Sequence, residues 1–77
     1  MTKTKKTFSQ LHRIILKDDE LLARYFFALK VGLTKQQALS KFDMRGATFH
    51  RWNSYLRSYY GAKIVRQKDT GVYRVEA

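Results

Sequence analysis

Asp43-Met44-Arg45-Gly46-Ala47-Thr48-Phe49-His50-Arg51-Trp52-Asn53-Ser54-Tyr55-Leu56-Arg57-Ser58-Tyr59-Tyr60-Gly61 is the stretch from which the rest of the chain can be read. Phe49, Trp52, Leu56 and Tyr59 recur at i, i+3, i+7 and i+10, which aligns one apolar face of a helix. With Tyr60 they are expected to bury that face. The opposite face carries Ala47, His50, Arg51, Ser54, Arg57 and Ser58, with no carboxylate among them. A cationic face free of Asp and Glu suits a polyanion, because a carboxylate there would repel phosphate.

Working towards the N-terminus, the tight connection Asp43-Met44-Arg45-Gly46 is preceded by Thr34-Lys35-Gln36-Gln37. Its Thr-x-x-Gln spacing is a capping box, in which hydroxyl and amide satisfy backbone donors at a helix start. It opens a short helix to about Phe42, with Ala38, Leu39 and Phe42 inward. Two helices joined by about four residues including a glycine, the second with a basic face, form a helix-turn-helix pattern over about 34–60.

Further upstream, Thr7-Phe8-Ser9-Gln10 is a second capping box, followed by the apolar stripe Leu11, Ile14 and Ile15. Lys17-Asp18-Asp19-Glu20 reads either as a helix break capped by Asp18 or Asp19, or as a solvated turn of one long helix. Capping outweighs metal binding, since three adjacent acids on a helix point in different directions. Leu21, Leu22, Tyr25, Phe26 and Leu29 continue the apolar face, and Lys30-Val31-Gly32 stops it. Residues 1–6 read as a loosely ordered basic arm, and 7–77 as the folded domain.

Downstream the period changes to that of strands. Residues 63–68 and 72–76 are β-branched and aromatic runs around Asp69-Thr70-Gly71, a glycine-ended turn, and predict a β-hairpin. Two strands need the helical core beneath them to be stable. The expected fold class is therefore mainly α with a C-terminal β-hairpin (α+β).

Composition sets the outer bounds. Seventy-seven residues hold one domain that buries roughly 60% of its unfolded surface. Hydrophobic residues make up 44% and aromatics 14%, enough for a core. Sixteen Lys and Arg against six Asp and Glu give a net charge of +10, the charge of a domain that meets nucleic acid, an anionic membrane or an acidic protein. There is no cysteine, so neither disulfides nor thiolate metal sites are possible. No apolar run approaches the ~20 residues that span a bilayer. The two histidines are far apart in sequence, and no glycine-rich phosphate loop or zinc-binding helix motif occurs, so an enzyme is not expected. No cofactor, metal or small-molecule ligand is implied, and the expected location is cytoplasmic, at the nucleoid when DNA is bound.

Helices, a helix-turn-helix and then a basic hairpin resemble the winged helix-turn-helix domain of small transcriptional regulators, over about Leu21 to Glu76. The likeness is carried by Thr34-x-x-Gln37-Ala38-Leu39, the inward Phe42 and Met44, and Thr48-Phe49-x-Arg51-Trp52. Asp43 stands where many such turns have glycine, and Leu39 where a small alanine is usual. The resemblance implies that Gly46, Ala47, His50 and Arg51 face the major groove of double-stranded DNA, with Ser54, Arg57 and Ser58 nearer the backbone. Arg51 would pair with a guanine edge and Ala47 with a thymine methyl. Thr34 and Gln36 would bond phosphate. Lys68 at the wing tip would enter the minor groove. Arg45 in the turn and Arg66 and Arg74 on the wing (about 63–76) complete the expected DNA-binding set.

A single module contacts few base pairs, so a homodimer or an array on DNA is expected, with Phe8–Ile15 and Leu21–Leu29 as the self-association surfaces. Among the tyrosines, Tyr59 and Tyr60 fit the buried face, leaving Tyr55 available for stacking on a base. Two other readings use the same basic face. One is a module that binds an acidic protein or structured RNA, for instance as an inhibitor of a nucleic-acid enzyme. The other is non-specific DNA coating driven by charge.

Overall fold

The computed structural model describes residues 7–76, so the expected basic arm at 1–6 lies outside the described residues. Four helices and three short strands follow in the order α1 (Phe8–Asp18), α2 (Glu20–Val31), β1 (Leu33–Thr34), α3 (Lys35–Lys41), α4 (Gly46–Tyr59), β2 (Lys63–Arg66) and β3 (Val72–Glu76). The class is α+β, with an antiparallel sheet in the order β1-β3-β2.

Both capping boxes form. Gln10 N donates to Thr7 Oγ1 while Thr7 N donates to Gln10 Oε1, and Thr34 and Gln37 repeat the exchange at the start of α3. The acidic stretch is a true helix break. Asp19 is extended (φ −157°), and its Oδ1 accepts from Leu21 N at 3.1 Å and Leu22 N at 3.2 Å. Asp18 caps nothing; its Oδ2 accepts from the Tyr60 hydroxyl at 2.8 Å, tying the end of α1 to the end of α4. The break resets the helical phase, so Leu22 enters the core whereas Leu21 remains about half exposed. Ile14 is likewise left outside, against expectation, because α1 meets the rest of the fold along Phe8, Leu11 and Ile15.

One core joins all the helices to the sheet. Ile15 from α1, Tyr25, Phe26 and Leu29 from α2, Ala38 from α3 and Phe49 and Leu56 from α4 are all fully buried. Tyr25 is at its centre, its ring edge-on to Phe42, Phe49 and Trp52 at centroid distances of 5.5, 6.1 and 5.2 Å. Its hydroxyl donates to Asn53 Oδ1, and both residues are buried. Burial pushes the Tyr25 hydroxyl well above the usual tyrosine range.

The strand β1 was not expected. Leu33 and Thr34 look like a linker between a glycine stop and a helix cap, yet they pair with Tyr73 and Val72. That pairing covers an edge of the hairpin and gives the two C-terminal strands a third partner. The hairpin turn is also shifted by one residue. Gly71 N donates to Gln67 O at 2.7 Å and Gln67 N to Val72 O at 2.8 Å, so Gln67 faces two residues across a bulge. Gly71 takes the φ of 72° that this bulge requires, and Lys68-Asp69-Thr70 form the turn.

Candidate nucleic-acid interface

The connection from α3 to α4 aims the basic helix. Phe42 N donates to Ala38 O and Met44 N to Leu39 O, each at 3.0 Å, and Asp43 adopts a left-handed φ of 50°. Aspartate tolerates that region better than most residues, which is how this turn manages without glycine. Arg45 then precedes α4 in an extended conformation without a side-chain cap, so the first amides of α4 keep free donors.

Along α4, Phe49, Asn53 and Leu56 are buried and Trp52 is half-buried, while Ala47, His50, Arg51, Ser54, Arg57 and Ser58 are exposed. The outer face has the composition that the sequence pattern predicts. Arg45, His50 and Arg51 form no ion pair or hydrogen bond with other described side chains or backbone, and neither do Arg66 and Lys68 of the hairpin. Four of the six acids are engaged within the fold. Asp18 and Asp19 hold Tyr60 and the α2 cap, Glu20 pairs with Arg24 at 3.3 Å, and Glu76 pairs with Lys63 at 3.3 Å. Of the other two, Asp43 lies in the turn before α4 and Asp69 beside Lys68 at the hairpin tip, so the uncompensated positive charge is that of the outer face of α4.

Several expected contacts have other duties. Arg57 Nη2 donates to Ile64 O at 3.1 Å, so this guanidinium bolts α4 to β2. Arg74 Nη1 donates to Val31 O at 3.2 Å and caps the end of α2, where a cation also meets the negative end of the helix dipole. Thr34 spends its backbone N–H and one hydroxyl lone pair on the capping box. Gln36 is exposed on the first turn of α3.

The three hairpin cations of the expected set, Arg66, Lys68 and Arg74, do not form one stripe. Strand register places Arg66 opposite Tyr73, whose ring lies 4.9 Å from that of Phe49, whereas Arg74 pairs with Val65 on the other face. Lys68, in the turn, stands apart from both.

Two features escaped the sequence reading. Lys35 reaches the start of α4, and a Cβ built on Gly46 would lie 3.3 Å from its Cε and 3.4 Å from its Nζ. A cation therefore stands beside the uncapped, partially positive end of α4. Its position directly after the Thr34 cap is the signal that could have found it. The second is Tyr59, which is 67% exposed rather than buried. Its ring stacks on Tyr55 at 5.0 Å and 6°, and Tyr60 stands edge-on to both.

No group of His, Cys, Asp and Glu that could hold a metal occurs among the described residues, and no described helix is long and apolar enough to cross a membrane. No protein-family model, curated protein or solved structure matches the chain.

Proposed function

We propose that this chain is a sequence-specific double-stranded DNA-binding protein of the winged helix-turn-helix kind, acting as a small transcriptional regulator. The observation that carries the reading is the exposed outer face of α4. It holds Ala47, His50, Arg51 and Ser54 with no acid, and His50 and Arg51 form no ion pair or hydrogen bond with other described residues. Fourteen residues give α4 a length of ~21 Å, and an α-helix fits the ~12 Å width of the major groove. The α3–turn–α4 order and the three-stranded sheet whose hairpin carries Arg66 and Lys68 are compatible with this arrangement.

In this reading Arg51, His50 and Ala47 meet base edges, while Arg45, Lys35 and the free amides at the start of α4 meet phosphate. Lys68 and Arg66 contact the flanking duplex. Arg57 and Arg74 contribute through the field of the domain and through the positions of α4 and β3.

A second reading draws on the exposed Tyr55–Tyr59 stack, a flat aromatic surface beside the basic face. Such a surface also fits an acidic protein or structured RNA.

Selection of the purified protein on a random duplex library at near-physiological salt separates the two. The expected result is an enriched motif whose preference changes at a few positions in Arg51→Ala. In Lys68→Ala, affinity should fall evenly across sequences and the salt slope should shrink by about 1. Strong capture without any enriched motif would mean charge-driven coating. Absence of capture would refute DNA binding and direct attention to RNA and protein.

A further inference from the structure

Tyr55 and Tyr59 are the large hydrophobic side chains that α4 leaves exposed, at 43% and 67%. With Arg51 they stand at i, i+4 and i+8, so the three share one ridge of the helix, and no acid lies on it. The two tyrosine rings are nearly parallel, 6° apart, with centroids separated by 5.0 Å. Tyr60 is close to perpendicular to both, at 5.6 Å from Tyr55 and 4.8 Å from Tyr59. Two such similar distances place Tyr60 alongside the pair. A ring over the far side of Tyr59 would be much farther from Tyr55, so Tyr60 leaves that outward face open. The pair is also backed by the fold. Tyr60 is half-buried against the core, and its hydroxyl donates to Asp18 Oδ2 at 2.8 Å, which fixes it relative to α1. A platform supported in this way gives up little freedom when something stacks on it.

Chemistry selects the occupant. The face of an aromatic ring is the negative part of its quadrupole, so a carboxylate gains nothing by lying over Tyr59. A cationic side chain would be drawn to the ring but repelled by a chain of net charge +10. An apolar protein surface needs a broad patch, ~800 Å² from each partner, and α4 exposes no large aliphatic side chain beside the two rings. A nucleobase meets every condition. It is flat and uncharged, it has a π-face whatever its identity, and it is joined to an anionic backbone that Arg51 on the same ridge attracts. Bases inside a duplex are already stacked on both sides, so the platform takes unpaired ones.

We infer that the Tyr55–Tyr59 stack, with Arg51, is a stacking platform for unpaired bases of a single-stranded nucleic acid. From sequence only Tyr55 was open to a base; the platform needs Tyr59, which the fold leaves outside. Neither tyrosine belongs to the set proposed to meet duplex DNA, so the platform stands independently of that reading.

Fluorescence anisotropy with labelled single strands of about 15 nucleotides, near the upper end of single-strand site sizes, tests this on the full chain at near-physiological salt. Oligodeoxyuridylate and an abasic strand of equal length have the same phosphates, so the difference between them reads the bases alone. The base-bearing strand should bind about tenfold tighter. Tyr59→Ala should remove most of that difference and leave the abasic strand unchanged, while Tyr59→Phe, which keeps the ring, should match the wild type. If Tyr59→Ala fails to fold by circular dichroism, Tyr59→Leu takes its place, being apolar without a π-face. Oligouridylate supplies the RNA arm, and preference for it or for the deoxy strand over the abasic one supports the platform and tells RNA from DNA through the 2′-hydroxyl. Equal affinity for abasic and base-bearing strands would overturn the inference by reducing single-strand binding to charge. So would a Tyr59→Ala protein that keeps the full preference, or a wild type that binds no strand at all. Duplex selection succeeds or fails separately from each of these results.

Discussion

Replacing Tyr25 with Phe removes one oxygen and nothing else, and the structure makes the consequence calculable. The Tyr25 hydroxyl donates to Asn53 Oδ1 between α2 and α4, with both residues essentially inaccessible to water. The ring stays edge-on to Phe42, Phe49 and Trp52, so no cavity of consequence opens. What changes is that a buried carbonyl loses its donor. An orphaned buried polar group costs ~1–3 kcal/mol, while replacing both partners with apolar groups is nearly neutral. A chain of 77 residues has a total stability of about 4–12 kcal/mol, so the single change removes a substantial part of it. At ~4–8 °C per kcal/mol, the midpoint of thermal unfolding should fall by roughly 5–20 °C.

Circular dichroism melts and urea titrations of Tyr25→Phe, Asn53→Leu and the double variant complete the cycle. The double variant should recover at least 1 kcal/mol relative to the sum of the two single losses. A Tyr25→Phe protein within ~0.5 kcal/mol of wild type would refute the argument, because it would mean that water reaches Asn53. Strict additivity would show that the two groups do not act as a pair.

Asp43→Gly should stabilise the fold by ~0.5 kcal/mol and Asp43→Val should weaken it by more than ~1 kcal/mol, because φ is 50° there; chemical denaturation measures both. Removing either of two arginines on α4 should have unequal effects on stability. Arg51→Ala should leave it within ~0.5 kcal/mol, whereas Arg57→Ala should cost ~1 kcal/mol by freeing the Ile64 carbonyl. Alkaline pH should unfold the domain. Burial raises the pKa of Tyr25, and burial together with the Asp18 carboxylate raises that of Tyr60, so their contributions are complete below about pH 10 and are lost as pH climbs towards the folded-state values. Urea midpoints measured through that range should fall steadily, and less steeply in Tyr25→Phe.

Local signals were legible where short-range chemistry decides. Both capping boxes, the helical face of Phe49, Trp52 and Leu56, and the glycine-ended hairpin follow from spacing and turn chemistry that act within a few residues. The acid-free outer face of α4 could be read for the same reason, since a helix fixes which residues share a side.

What stayed hidden depends on partners distant in sequence. Asn53 lies four residues after Phe49 and three before Leu56, so its inward position was implicit in the spacing. Its role became visible only when Tyr25, twenty-eight residues away, supplied a donor. Arg57 and Arg74 read as surface cations because sequence shows charge and does not show the carbonyls of Ile64 and Val31 that they reach. Leu33-Thr34 became a strand because β3 arrives from the far end of the chain to pair with it. Tyr59 continues an apolar repeat by spacing, yet no other element extends far enough to cover it, so it stacks on Tyr55 in the open. The sequence by itself determined which faces are apolar, where helices begin and where the chain turns, because those rest on local geometry. The tertiary structure alone decided which apolar faces are covered and which cations are spent inside the fold, because burial and hydrogen-bond partnership belong to pairs of elements.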